Sequence, residues 1–102
     1  MIDPRDIADT AVELVFGDRN DDYGHPLDNL DRAARIWSVI LGIEVTAEQV
    51  CLCMEGMKIA REIHKPKMDN PVDGIGYWLT LAMIRQERIE REILKNEGLT
   101  KP

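Results

Sequence analysis

The sequence predicts an all-α protein: four main helices in a helical bundle, the last of them long and charged. Three observations predict it. Apolar residues recur at intervals of three and four along the chain. No segment shows the strict alternation of a half-buried strand. Helix start and stop signals bracket the periodic stretches, among them Asp3-Pro4, Gly42, Thr46 and Gly98. A chain of 102 residues forms one domain, residues 1–102, around a single small core.

The first helix starts at Asp3-Pro4. Asp3 caps free amides, and Pro4 suits the first helical position, where no donor is needed. Ile7, Ala11, Leu14 and Val15 form its apolar stripe, and Gly17 terminates it. The stretch from Asp18 to Pro26, DRNDDYGHP, reads as a connector dense in turn formers, with Gly24 at positive φ. It also gathers Arg19, Asp21, Asp22, Tyr23 and His25, more chemistry than a link between helices needs. Two readings stand: a solvated link, or a cover whose arginine and aromatic ring contact a base or a phosphate.

The second helix runs roughly from Leu27 to Leu41. Leu27, Leu30, Ala34, Trp37 and Leu41 line one face, and Gly42 ends it. Trp37 reads as core, with stacking on a ligand as the alternative. Thr46 and Gln49 form a capping box for the third helix, which runs to about His64. Val50, Met54 and Met57 are its clearest core positions. Gly56, in its interior, costs about 1 kcal/mol relative to alanine and suggests that another helix or a ligand passes close.

Pro66 stops the third helix. Asn70 caps the fourth, with Pro71 at its first position and Asp73 in its first turn. Val72, Ile75, Leu79, Ala82 and Met83 continue the apolar stripe, with Trp78 off its centre. Gly74 and Gly76 point to tight helix approach or to room for a ligand. Further on, Glu87 with Arg91 and Arg88 with Glu92 are spaced for i,i+4 pairs. A helix this long outruns a small bundle, so its end, with Ile89 and Ile93 on one face, is expected to pack on a second copy in a homo-oligomer. Gly98 ends it, and the last residues read as frayed.

The net charge of −6 speaks against non-specific binding to duplex nucleic acid, which needs surplus lysine and arginine. No apolar run approaches a membrane span, and the N-terminus MIDPRDIADT lacks the basic and apolar regions of a signal peptide. Cys51 and Cys53 diverge by roughly 200° on a helix, so they read as core thiols of a reducing cytoplasm. Neither has a histidine partner in sequence for nucleophilic catalysis, and no paired Cys or His spacing suggests zinc.

The stretch from Glu55 to Tyr77 carries the most chemistry. Lys58 and Arg61 stand three residues apart near the end of one helix. Asp69, Asn70 and Asp73 open the next. Lysine and arginine suit a phosphate, and free amides near Asn70 favour the same anion. Asp69 and Asp73, with Glu55 on the preceding helix, suit Mg²⁺, which takes one or two protein carboxylates and leaves the rest to water and phosphate. The plainer reading is a helical hairpin whose charges cap and pair with one another.

The order Arg19…Tyr23-Gly24, Trp37, Lys58-Ile59-Ala60-Arg61, then Asp69-Asn70…Asp73…Gly76-Tyr77 resembles a family of small phage-encoded proteins. That family looks like a relative of the nucleotide-modification-associated domain and, more distantly, of MazG-like all-α nucleoside triphosphate pyrophosphohydrolases. The resemblance covers about Arg19 to Leu81. It implies a MazG-like oligomer, nucleotide ligands, and Mg²⁺ in the active members. In its terms Lys58 and Arg61 hold phosphate, and Arg19, Tyr23, His25, Asn70 and Tyr77 surround the ligand. Asp69 and Asp73 are the catalytic candidates; they hold Mg²⁺, with Glu55, or a ribose hydroxyl.

The chain departs from the MazG-like pattern at the acidic residues. Its third helix has no Glu-x-x-Glu, and Asn70-x-x-Asp73 stands in for Glu-x-x-Asp. Three functions follow as expectations. One is a Mg²⁺-dependent pyrophosphohydrolase with a degraded metal motif. Another is a non-catalytic sponge that sequesters a nucleotide signal of host defence. The third is a structural or interaction module.

Overall fold

The structure, a computed structural model, describes residues 3–17 and 19–99. Asp18, where the connector was expected to begin, and the frayed end expected at 100–102 lie outside the described residues. Among the described residues there are four long helices, as the periodicity requires, and one short one. They are α1 (Pro4–Phe16), α2 (Arg19–Tyr23), α3 (Pro26–Leu41), α4 (Ala47–His64) and α5 (Asp69–Asn96). No described residue is in a strand.

Local chemistry sets most of the ends. Asp3 accepts from the Arg5 amide and opens α1. Thr46 and Gln49 close the capping box on α4, each side chain accepting the other's amide. Gly42 and Gly24 adopt positive φ, the conformation that spares glycine a side-chain clash. The connector differs from expectation at α2. Its acidic residues fall in the first turn, where the helix dipole favours them, so Arg19–Tyr23 is helical instead of irregular.

The start of α5 also differs. The helix begins at Asp69, and Asn70 does not cap it. Asn70 is buried and donates through Nδ2 to Glu62 Oε1 at 2.9 Å. A cap would have accepted backbone amides through its oxygen; the buried amide group donates instead to an ionised acceptor, the stronger kind of hydrogen bond. Glu62 Oε1 also accepts the Lys67 amide, so one carboxylate braces the α4–α5 turn.

α5 is the spine, packing against α1, α3 and α4. α3 and α4 also pack on each other. The central cluster is Leu27, Ala47, Cys51, Leu81 and Ile84, with Leu30 and Tyr77 packed against it. Burying a large aliphatic side chain contributes about 1.5–3 kcal/mol, and several core positions here are only alanine. The core of α5 therefore lies at Leu81 and Ile84, while Ala82 is exposed and Leu79 and Met83 are half-buried. Because α5 touches three helices, its apolar positions spread round its circumference and one stripe does not describe them.

Other expected core positions open to solvent. Leu14, Leu41 and Met57 are exposed, and Trp37 is half-buried. Cys51 is buried but Cys53 is exposed, since the core lies on the Cys51 side of α4 alone. Across the helices, Glu87 pairs with Arg91 as expected, at 2.8 Å. Arg88 instead forks onto Glu48 of α4, with contacts of 2.8 to 3.1 Å. Glu48 offers a bidentate carboxylate that Glu92 on the same helix cannot orient as well.

Candidate functional site

Two hollows flank the start of α5. The first is a cleft of about 510 Å³ enclosed by α1, α2, the start of α3 and α5. Leu14, Val15, Leu30 and Val72 give it apolar walls. Arg19, Tyr23, Asn29, Asp73, Tyr77 and Thr80 supply its polar groups. The Arg19 guanidinium lies 5.2 Å from the centre of the Tyr23 ring, within cation–π range. Arg32 donates to the Tyr23 carbonyl at 3.3 Å and fixes the end of α2. Gly76 makes the back of this cleft tight: a Cβ there would meet Val15 Cγ2 at 3.4 Å.

The second hollow, also about 510 Å³, lies at the α4–α5 turn. Lys58, Arg61, His64, Lys65 and Lys67 line it, with Asp69 and Asn70 on the other side. It is mostly cationic on a chain that is acidic as a whole. Lys65 and Lys67 were not singled out from the sequence, although the run His64-Lys65-Pro66-Lys67 signals them.

The Lys58–Asp73 ion pair stands where the hollows meet. Lys58 Nζ lies 2.6 Å from Asp73 Oδ2. Lys58 lines the cationic hollow and Asp73 the aromatic cleft. Sequence spacing placed Lys58 and Arg61 on one face, and both do line one hollow. The ammonium, however, is already engaged by a carboxylate.

His25 does not line either hollow. Its Nδ1 accepts the Leu27 amide at 3.0 Å and caps α3, while Nε2 faces Glu87 Oε1 at 3.9 Å. The helix end, which has free donors to satisfy, takes the imidazole that was expected to cover a ligand. Asn29 and Thr80 enter the cleft without any forewarning in sequence, because an isolated polar residue on a helix shows no spacing signal.

The acidic residues do not converge. Glu55 packs against Gly74, where a Cβ would meet Oε1 at 3.0 Å. Its Oε2 is buried without a hydrogen-bond partner, and burial raises its pKa. Asp73 is paired with Lys58, and Asp69 opens onto the other hollow. Among the described residues no three His, Cys, Asp or Glu side chains group so as to hold a metal ion. The three carboxylates expected to share one ion thus face different surroundings.

A protein-family model described as a domain of unknown function, DUF6378, matches residues 6–85. The chain belongs to the DUF6378 family. The DUF6378 segment contains every residue that lines the two hollows, from Ala11 to Thr80, and leaves out the last turns of α5. The chain is 36% identical over 87 residues to the Gene 55 protein of Mycobacterium phage L5, covering 83% of this chain and 56% of that protein. It is 34% identical over 90 residues to the Gene 55 protein of Mycobacterium phage D29, covering 84% and 58%. The chain thus spans less than two thirds of the length of these curated phage relatives. No solved structure matches it. Among the described residues of this DUF6378 member, no helix is long and apolar enough to cross a membrane.

Proposed function

We propose that the protein binds a nucleotide, or a similar phosphorylated small molecule, and holds it without hydrolysing it. The observation that carries this reading is the meeting of an aromatic-lined cleft and a cationic hollow at the Lys58–Asp73 pair. A volume of about 510 Å³ lies in the range of small-molecule sites. Tyr23, backed by Arg19, offers a stacking surface that accepts any base. Tyr77 and Asn29 face the same space. A phosphate at the junction competes with Asp73 for the Lys58 ammonium, and Arg61 adds a guanidinium fork from the neighbouring hollow.

The lack of a Glu-x-x-Glu pair on α4 favours holding over hydrolysis, because metal-assisted phosphoryl chemistry needs carboxylates set against the ion. The motif order that resembles nucleotide-modification-associated and MazG-like proteins supports a nucleotide ligand. The phage relatives support a setting in the host cytoplasm, where a binder lowers the free concentration of a nucleotide signal used in host defence.

Isothermal titration with a panel of mono-, tri- and cyclic nucleotides, with and without Mg²⁺, tests the reading. The expected result is saturable binding that does not need Mg²⁺, with no release of pyrophosphate. Turnover that requires Mg²⁺ would overturn the non-catalytic reading. Heat effects no larger than dilution across the panel would overturn the ligand class and leave an interaction module.

A further inference from the structure

We infer that the protein is a homodimer whose two copies meet along one uncharged stripe of α4 and cross at Gly56. α4 turns Cys51, Glu55 and Lys58 toward α5. Roughly a third of a turn round the same helix, Leu52, Gly56, Ile59 and Ile63 follow at spacings of four, three and four residues. Ala60 adjoins them. All five are exposed, Ile63 to 81%. Steps of four and three are the repeat of a seam between packed helices.

Among the described residues nothing crowds Gly56 within one copy. A Cβ built there meets no heavy atom within 4 Å, yet glycine in a helix interior costs about 1 kcal/mol relative to alanine. In a seam it lets two backbones approach closely, with axes about 8–10 Å apart. Larger side chains stand on either side of it along the helix. A second α4 crossing there presents the same patch in return, as twofold symmetry requires.

The surface of the chain leaves area for such a partner. It exposes 7549 Å², where a compact monomer of its mass exposes about 5,800 Å². Its radius of gyration is 15.6 Å, against about 13 Å for a compact domain of this length. The thin dimension is 21 Å, about two helix diameters. The surplus surface exceeds the roughly 800 Å² that each partner buries in a standard interface. An uncharged seam also suits self-association of a chain with net charge −6, since it brings no carboxylates face to face.

Sedimentation equilibrium of the full chain at micromolar concentration tests the inference. The expected mass is twice the 11.6 kDa of the chain. Ile59→Glu is expected to give the single mass with unchanged helical circular dichroism, at least a tenfold weaker association. Val39→Glu, at an exposed position of α3, is expected to leave the dimer intact. A monomeric wild type overturns the inference, and so does dissociation by Val39→Glu but not by Ile59→Glu. The unmutated chain gives a second readout that folding defects cannot confuse. A nitroxide on exposed Cys53 sits within one turn of the crossing, so the two labels are expected within about 25 Å of each other. Pulsed dipolar spectroscopy that finds no such separation also overturns the inference.

Discussion

The Lys58 ammonium lies 2.6 Å from Asp73 Oδ2 and ties α4 to the start of α5. Lys58 is the better buried of the two, its side chain 16% exposed against 37% for Asp73. A cation held in this way is positioned but already neutralised. An incoming phosphate must displace a carboxylate to use it.

This gives opposite signs for the two partners. A partly exposed ion pair is worth about 1 kcal/mol, so Asp73→Asn is expected to tighten phosphate binding roughly fivefold. Lys58→Ala is expected to remove most of it. Calorimetric titration of both variants with the same nucleotide reads the difference. Weaker binding by Asp73→Asn would mean that the carboxylate itself contacts the ligand.

Arg91 bridges α3 and α5, donating to both Asp28 oxygens at 2.8 and 3.0 Å and to Glu87 at 2.8 Å. Glu87 is buried, so losing the guanidinium removes a 2.8 Å charge partner from a desolvated carboxylate. Arg91→Ala is expected to destabilise the fold by about 2–4 kcal/mol. Arg91→Lys recovers only part, since an ammonium cannot fork across two carboxylates. Urea unfolding followed at 222 nm, a wavelength on the order of those that report helix, checks both.

Glu55 contributes to pH dependence with the reverse of the usual sign. Burial holds its folded-state pKa above the ordinary carboxylate value. Its contribution is therefore most favourable below the unfolded pKa and is lost as pH rises through the raised folded value. Glu55→Gln is expected to melt about 2–5 °C above wild type at neutral pH, with the gap closing as the solution is made mildly acidic. Asp28 and Glu48 run the other way. Arg91 and Arg88 hold their pKa values low, so their contribution is present above the unfolded values and is lost as pH falls through the lowered ones. Comparing melts of wild type and Glu55→Gln at each pH cancels those two.

The thiols differ in reactivity. Cys51 Sγ donates to the Tyr77 carbonyl at 3.1 Å, and burial pushes its pKa up to about 11. Cys53 is exposed. A thiolate is the reactive form, so a disulfide reagent at mildly alkaline pH is expected to titrate one thiol in the folded protein and a second only in denaturant. Fast reaction of both thiols in the native state would contradict this burial.

Much of the fold was legible because helix ends are written locally. Asp3, Thr46 with Gln49, Gly42 and Pro66 each act on residues within a turn of themselves, and the ends they predict are the ends observed. Part of the candidate site was legible too: Arg19, Tyr23 and Tyr77 share one cleft, and Lys58, Arg61 and Asn70 share the other hollow. His25 reads two ways in sequence, because a cap and a ligand contact ask for the same residue types, and the structure shows the cap. Asn70 was misread because a cap accepts backbone amides through its side-chain oxygen, whereas this side chain is held by donating its amide to Glu62 on another helix.

The sequence by itself determined that this chain is helical, where most of its long helices start and stop, and which residues carry charge near the α4–α5 turn. Those properties depend on neighbours a few residues away. Only the tertiary structure decided that Lys58 meets Asp73, that Glu55 packs against Gly74, and that α4 keeps an apolar side uncovered. Such outcomes depend on how each helix is rotated against the next, and packing of the whole core sets that angle.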